Sequence, residues 1–582
     1  MDEKCFQQTL ETQVPMLYQL CDPTLPSTDQ LDALAWGITD ALIVALEAST
    51  KKTTRLGTGQ PWWTEECQRA LTRLPPTRLP FPEITAYEIQ NSLLNTGNTT
   101  PGTDNVPTEV LRKAWKYIQA PVETLYRACL RIGWHPTPFK EAILVTLAKP
   151  NRDPANPRSY HLIALLSTLG KGLERLVARR LAWTAIREKI VHPQHFGALP
   201  GRAASDLVTA VVYDIEESWA RGKMVSLLTL DIKSAFDAVL PGRMVRRLQE
   251  QGWPQNLIEW VKSFMTGLTG KIKMDGLLGD SFSIPAGLPQ GSPVSPILFT
   301  FFIQPMFFLG TLVRKRARMG YADDIALLTD EGLIFDTGKS ELVHFTCRRC
   351  SNNPAIELDT GVEAHLIKAT PLDGAVRYLG IWLDRKLTFK KYVDTMAVKA
   401  RQVAGGIQAL SNTVRGAPVQ LLRQAVQACM LPILCYRAEA WWPGKSRVVG
   451  GGEISNRVDS LMERLDLVLR QAIRGALPVY WTTPIAALHR ELEIPPIKLA
   501  LDHRHAALAA RIKGLDKRHP LVRRGARAAH IPSYTTRFTR TAKHIKPTKP
   551  YDPLAVPLWA HTARKEDSQI GFVRGHTKEQ AA

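Results

Sequence analysis

Three aspartates stand where a metal-dependent reaction could be run. Val225-Ser226-Leu227-Leu228-Thr229-Leu230 is an apolar, branched run with the composition of a buried strand, and it ends in Asp231. Further on, Met319-Gly320-Tyr321-Ala322-Asp323-Asp324-Ile325-Ala326-Leu327-Leu328 sets two acids between short apolar flanks, the pattern of a hairpin turn. Carboxylates gathered at strand ends suit hard, oxygen-preferring cations such as magnesium. Two such ions about 4 Å apart can activate an attacking hydroxyl and steady the leaving oxygen of an in-line phosphoryl displacement. Alone, an Asp-Asp pair is most often a solvated turn, so its weight rests on what surrounds it.

Those strands need helices to hold them. Leu207, Ala210, Val211, Ile215 and Trp219 recur at helical spacing just before the first strand, with Ser205 as the expected N-cap. Residues 375–389 have the pattern of a further hairpin. From Tyr392 onward helices dominate, with one apolar stripe through Val393, Met396, Ala397, Ala400, Ala404 and Ile407 and another through Leu421, Leu422, Ala425, Val426 and Cys429. Residues 511–549 are strongly basic, with Asp516 as their one acid.

The whole chain has 582 residues, 45% hydrophobic and 22% charged, which excludes wholesale disorder. Lys and Arg number 75 against 54 Asp and Glu, a net charge of +21 that favours a polyanionic partner. Eight cysteines are too few for a disulfide scaffold, and the polar start, residues 1–8, has no secretory pattern. An intracellular location, nuclear or cytoplasmic, is expected. Three features imitate other chemistry. Cys347 and Cys350 with His344 upstream lack a second ligand pair at zinc spacing. Residues 293–313 are nearly as apolar as a membrane span but are interrupted by Ser295, Pro296, Thr300, Gln304 and Pro305, so a buried helix and no membrane contact are expected. Residues 332–340 read G-x5-G-K-S, one position too long for a phosphate-binding loop.

The order of blocks around the aspartates resembles the reverse transcriptases of non-LTR (LINE-type) retrotransposons, of I/Jockey-like kind, over about residues 60–520. Leu230-Asp231-Ile232-Lys233-Ser234-Ala235-Phe236-Asp237 resembles motif A, and Gly287-Leu288-Pro289-Gln290-Gly291-Ser292-Pro293-Val294-Ser295-Pro296 resembles motif B. Tyr321-Ala322-Asp323-Asp324 resembles motif C, Gly338-Lys339-Ser340-Glu341 motif D, and Tyr378-Leu379-Gly380-Ile381 the primer grip. Pro101-Gly102-Thr103-Asp104 and residues 160–166 resemble the finger motifs. The resemblance implies an RNA-directed DNA polymerase acting on an RNA template, a DNA primer and deoxynucleoside triphosphates with Mg2+ (or Mn2+). Asp231, Asp323, Asp324 and the Ile232 carbonyl would be its metal ligands. Phe236 would be the steric gate against a ribose 2′-hydroxyl. Gln290 and Gly291 would touch the incoming nucleotide, and Lys149 and His161 the triphosphate. Lys339 would act near the pyrophosphate, and Tyr378, Leu379 and Gly380 would hold the primer.

The implied fold is α+β, a right hand with fingers at 81–204, a palm built on a ferredoxin-like antiparallel sheet at 205–391, and a helical thumb at 392–515. An N-terminal remnant or linker at 1–80 and a basic tail at 516–582 flank it. Pro61-Trp62-Trp63-Thr64-Glu65-Glu66-Cys67 resembles the segment between endonuclease and polymerase, and no RNase H carboxylate set follows the thumb, so a polymerase module without those neighbours is expected. Two departures matter. His161 stands where the family has an arginine, and an imidazole lacks the guanidinium's donor fork and permanent charge. If the strand after Asp324 runs to Leu328 and motif D begins at Gly332, about four residues remain for a crossover that needs a dozen or more. The palm is then expected to lack one helix, and either Lys339 is displaced or the motif D strand is lost from the sheet. The alternative to a polymerase is a non-catalytic nucleic-acid-binding remnant. An RNA-templated RNA polymerase shares the acids but is disfavoured by Phe236.

Overall fold

The computed structural model describes residues 3–20, 27–48, 79–149, 153–156, 159–232, 235–274, 276–284, 287–308, 319–321, 324–325, 340–347, 353–359, 364–411, 416–449, 452–456, 458–477, 479–480, 482–530 and 536–543. Its strands include β1 (Glu141–Ala148), β2 (Tyr160–Leu165), β3 (Val225–Asp231), β4 (Leu268–Met274), β5 (Leu277–Ile284), β6 (Gly320–Tyr321), β7 (Asp324–Ile325), β8 (Glu341–Phe345), β9 (Ile356–Asp359), β10 (Ala364–Ile367), β11 (Ala375–Tyr378) and β12 (Ile381–Asp384). Helices fill most of the rest, giving a mixed fold of helices and small sheets.

Two sheets matter for the site. The first has the order β2-β1-β4-β5, with β1 antiparallel to β2 and parallel to β4. The second has the order β6-β7-β3-β8, and every neighbouring pair is antiparallel. Counted along the chain, that order is second, third, first, fourth.

The period-2 pattern of β3 explains why it sits in the middle. Val225 and Leu227 pack into one core with Val343 and Phe345 of β8, while Leu228 and Leu230 pack into the other core with Leu342. A strand covered on both faces reads as a continuous apolar run, which is how this one reads.

The fourth strand corrects one branch of the sequence expectation. β8 pairs with β3 from Val225↔Phe345 to Thr229↔Glu341, so the sheet keeps a strand after motif C. Its first residue is Glu341, and β7 is described only to Ile325. Gly332-Leu333-Ile334-Phe335, where the sequence reading starts motif D, lies outside the described residues. The expected helix gap falls on 326–339, outside the described residues, as does Lys339.

The apolar stretch 293–313 contains a buried helix, Ser295–Phe302, followed by a short one, Gln304–Phe308. Its polar groups are satisfied locally: the Thr300 hydroxyl donates to the Pro296 carbonyl at 3.0 Å, and Gln304 Nε2 donates to the Thr300 carbonyl at 2.7 Å. Among the described residues no helix is long and apolar enough to cross a membrane. The helix Ala204–Ala220 starts one residue ahead of the expected cap. Ser205 lies in its first turn, and Asp206 takes that duty by accepting the Ala203 N–H at 2.9 Å.

That helix packs on β3 and β6, and helices from the basic C-terminal stretch, Pro520–His530 and Arg537–Lys543, pack on it in turn. Leu521, Ala528 and Phe538 are buried there. The basic residues are partly consumed by internal ion pairs: Arg511 with Asp206, Arg524 with Asp214, Arg527 with Glu217, and Arg537 with Glu216. Asp206 is fully buried, with the fully buried His519 ring 3.6 Å away. Burial alone would raise its pKa, but His519 and Arg511 outweigh that and hold it below the ordinary value of 3.8.

Removing one partner of a buried pair strands the other. Asp206→Ala should cost about 3–5 kcal/mol in urea unfolding near neutral pH. Because the folded pKa is depressed, the contribution is present above the ordinary value and lost as pH falls through the folded one, so the gap to wild type should narrow below about pH 4.

Candidate active site

The pairing of β3 with β7 sets Leu230 opposite Ile325 and Asp231 opposite Asp324. Directly opposed residues of an antiparallel pair occupy the same face of the sheet. The same β7 pairs with β6, Tyr321 opposite Asp324. Asp323 is outside the described residues. Among the described residues no group of three His, Cys, Asp or Glu side chains is placed to hold a metal ion.

β6 is steadied from outside the sheet. The Gly320 N–H donates to the Gln194 carbonyl at 3.3 Å, and Phe196 N–H donates to the Gly320 carbonyl at 2.8 Å. A Cβ on Gly320 would lie 2.4 Å from the Phe307 ring, so only glycine allows this approach.

Ile232 is buried beyond the end of β3, and Phe236 is half-buried, stacked on Phe299 with ring centroids 5.0 Å apart. The Phe236 carbonyl accepts the Leu288 N–H at 2.9 Å. Gly287, with φ of 100°, would bring a Cβ within 2.9 Å of Asp237 Cα. Two residues later the turn meets the first sheet. The Gln290 carbonyl accepts the Ala164 N–H at 2.7 Å, and a Cβ on Gly291 would sit 2.3 Å from the Ala164 carbonyl oxygen. The turn 287–292 is thus spliced by its backbone between Phe236 and β2.

β2 carries His161, which is exposed and opposite Leu147. The Lys149 N–H donates to the Ser159 carbonyl at 2.7 Å, extending the hairpin. Lys149 lies two positions beyond Leu147 and so shares the His161 face. The register of β1 with β4 places Lys271 and Lys273 on that face as well, opposite Ile143 and Val145. Pro101-Gly102-Thr103-Asp104 braces the end of β2. A Cβ on Gly102 would lie 2.6 Å from the Leu166 carbonyl carbon, and Asp104 accepts the Val106 N–H at 3.2 Å.

Tyr378, Leu379 and Gly380 form a separate turn, with Tyr378 paired to Ile381. Leu379 has φ of 46° and Gly380 φ of 82°, the two left-handed residues of a tight hairpin. A leucine there costs roughly 1–2 kcal/mol. Strain of that kind persists only where the surroundings impose it. The buried Tyr378 packs in the same core as β8, and Gly380 faces Tyr436, whose hydroxyl would be 3.3 Å from an added Cβ.

Residues 147–352 match the family model described as reverse transcriptase (RNA-dependent DNA polymerase). Residues 147–352 are a reverse-transcriptase domain, related to those of non-LTR retrotransposons. A probable RNA-directed DNA polymerase from transposon BS of Drosophila melanogaster is 24% identical, over 77% of this chain and 51% of the relative. The RNA-directed DNA polymerase from mobile element jockey of the same species is 26% identical, over 60% and 41%. The retrovirus-related Pol polyprotein from type-1 retrotransposable element R2 of Popillia japonica is 26% identical, over 45% and 37%. The chain spans about half the length of the first of these relatives and less of the others. Among solved structures, a telomerase from Candida albicans with a fragment of telomeric RNA overlaps 61% of this chain and 66% of its own, at 12% identity and a TM-score of 0.29.

Within the reverse-transcriptase domain, the Cys347 and Cys350 pattern does not develop into a metal site around His344. Its Nδ1 bonds the Ser226 hydroxyl at 2.7 Å and its Nε2 the Pro354 carbonyl at 2.8 Å, leaving no free nitrogen. Cys350 is outside the described residues.

One supporting residue escaped sequence reasoning. Glu174, fully buried in the helix Thr168–Arg187, accepts the Ser292 hydroxyl of the 287–292 turn, and its other oxygen is 3.9 Å from His135. Nothing in Gly172-Leu173-Glu174-Arg175 distinguishes it from a solvated acid, because its partner is more than a hundred positions away. Burial pushes its pKa from 4.5 up to about 7, against the lowering by Ser292 and Lys171.

A carboxyl raised in the folded state keeps its proton longer folded than unfolded. Wild-type stability should therefore fall as pH rises from about 4.5 to about 7, by up to about 3 kcal/mol. Glu174→Gln keeps an acceptor for Ser292 and should flatten that part of the profile in melts run from pH 4 to pH 8.

Proposed function

We propose that the chain is an RNA-directed DNA polymerase that copies an RNA template from a DNA primer with deoxynucleoside triphosphates. The observation that carries this is the register Asp231↔Asp324, which brings the acids of two sequence-distant motifs to opposed positions on one sheet. Asp231, Asp323 and Asp324, with the Ile232 carbonyl, would hold Mg2+ or Mn2+, and an all-oxygen set fits a hard cation. Bound there, two such ions would lower the pKa of a primer hydroxyl and neutralise charge on the leaving pyrophosphate.

The chain's own residues do the rest. Phe236, braced by Phe299, blocks the space a 2′-hydroxyl would need. The Gln290-Gly291 backbone, fastened to Ala164, forms the floor under the incoming base. Lys149 and His161 share a face on which triphosphate oxygens are held, and Lys339 donates a proton to the pyrophosphate. The Tyr378-Leu379-Gly380 turn orients the primer end. In this reading residues 81–204 act as fingers, 205–391 as palm and 392–515 as thumb. A second reading, a non-catalytic nucleic-acid-binding remnant, is favoured by His161 in place of an arginine and keeps the basic surface.

Primer extension on a poly(rA) template separates them. The polymerase reading predicts Mg2+-dependent extension that falls to background in Asp231→Asn and Asp324→Asn with primer-template binding retained. Binding without extension by wild type would support the remnant. In an active preparation, Phe236→Val should raise ribonucleotide use relative to deoxynucleotide use by about tenfold, the scale of one steric contact. Unchanged discrimination would make Phe236 a packing residue only.

A further inference from the structure

Two elements outside the sheet hold these strands: the helix Ala204–Ala220 packs on β3 and β6, and Gln194 and Phe196 bond the backbone of Gly320 in β6.

One side chain touches both supports. Arg524, in the helix Pro520–His530, is 2% exposed. Its Nε donates to Asp214 Oδ1 at 2.8 Å and its Nη2 to Asp214 Oδ2 at 2.6 Å, a two-pronged pair. Asp214 lies on the helix Ala204–Ala220, which packs on β3 and β6 and leads into the strand ending at Asp231. Nη2 also donates to Gln194 Oε1 at 3.3 Å. Gln194 is the residue whose carbonyl takes the Gly320 N–H, and Phe196, two positions on, returns a bond to the Gly320 carbonyl. A single guanidinium therefore links the helix behind motif A to the loop that fastens the first strand of motif C.

We propose that Arg524 is a positioning residue for the acid cluster, setting β3 and the β6–β7 hairpin relative to each other from the far side of the helix Ala204–Ala220. The segment that reads as a basic tail would then be, around residues 516–543, part of the catalytic body. This rests on the polymerase reading only for its effect on metal use; the mechanical link stands on the bonds themselves. Lysine can replace the charge but not the fork that reaches Asp214 and Gln194 together.

The test compares wild type, Arg524→Ala, Arg524→Lys, Asp214→Asn and, as a control, Arg523→Ala at the exposed neighbouring position. Amide hydrogen exchange in the full chain should speed up in peptides covering 225–231 and 319–325 for Arg524→Ala and Asp214→Asn. It should be intermediate for Arg524→Lys and unchanged for Arg523→Ala, with the helix Thr108–Ile132 protected alike in all. The Mg2+ concentration for half-maximal primer extension should rise about tenfold in Arg524→Ala, the scale seen when an outer support of a metal site is removed. Turnover at saturating Mg2+ should be largely retained. Exchange that rises uniformly over the chain, or not at all in those two segments, would overturn the proposal, as would faster exchange with an unchanged Mg2+ requirement. If wild type extends no primer, the polymerase reading fails, and the exchange pattern alone still decides whether Arg524 couples the two strands.

Discussion

The molecule is organised around an arrangement that electrostatics opposes. Asp231 and Asp324 are opposite neighbours on adjoining strands, with Asp323 next in the chain. Like charges at directly opposed strand positions are destabilising. Such an arrangement is maintained only by a scaffold that gains more elsewhere. β3 supplies it by being buried on both faces, Leu228 and Leu230 on one side, Val225 and Leu227 on the other. Its pairing with β8, from Val225 to Thr229, fixes its register, and β7 pairs with it at Leu230 and Asp231.

Close backbone approach does the remaining assembly. Gly287, Gly291 and Gly320 each stand where a Cβ would fall 2.9 Å or less from a neighbouring atom. At the first two the chain passes against Asp237 and Ala164, so the turn between them is held by main-chain bonds and not by side chains that could be exchanged. That places the face bearing Lys149 and His161 in fixed relation to Phe236.

Much of this was legible in the sequence because it is local. The strand ending at Asp231, the hairpin around Asp323 and Asp324, the turn at Tyr378–Gly380 and the buried helix after Gln290 all announce themselves by period, turn residues and apolar runs. The errors have a common cause. Ser205 has the chemistry of a cap, but Asp206 can reach the preceding N–H as well as bond Arg511, and that second bond is invisible in sequence. Arg511, Arg524 and Arg537 read in sequence only as part of a basic stretch, because their acids lie some three hundred positions earlier. Glu174 was missed for the same reason.

The claim on which the rest turns is the register of β3 against the motif C hairpin, and a cross-strand disulfide measures it directly. Directly opposed strand positions have Cα separations of about 4.5–5.5 Å, within the range a disulfide spans. With the exposed Cys347 and Cys429 replaced by serine, the pair Asp231→Cys and Asp324→Cys should close under mild oxidation. The shifted pair Thr229→Cys and Asp324→Cys should stay reduced. Ready closure of the shifted pair, with none between positions 231 and 324, would show that the two acids are not neighbours and would remove the basis for a shared metal site.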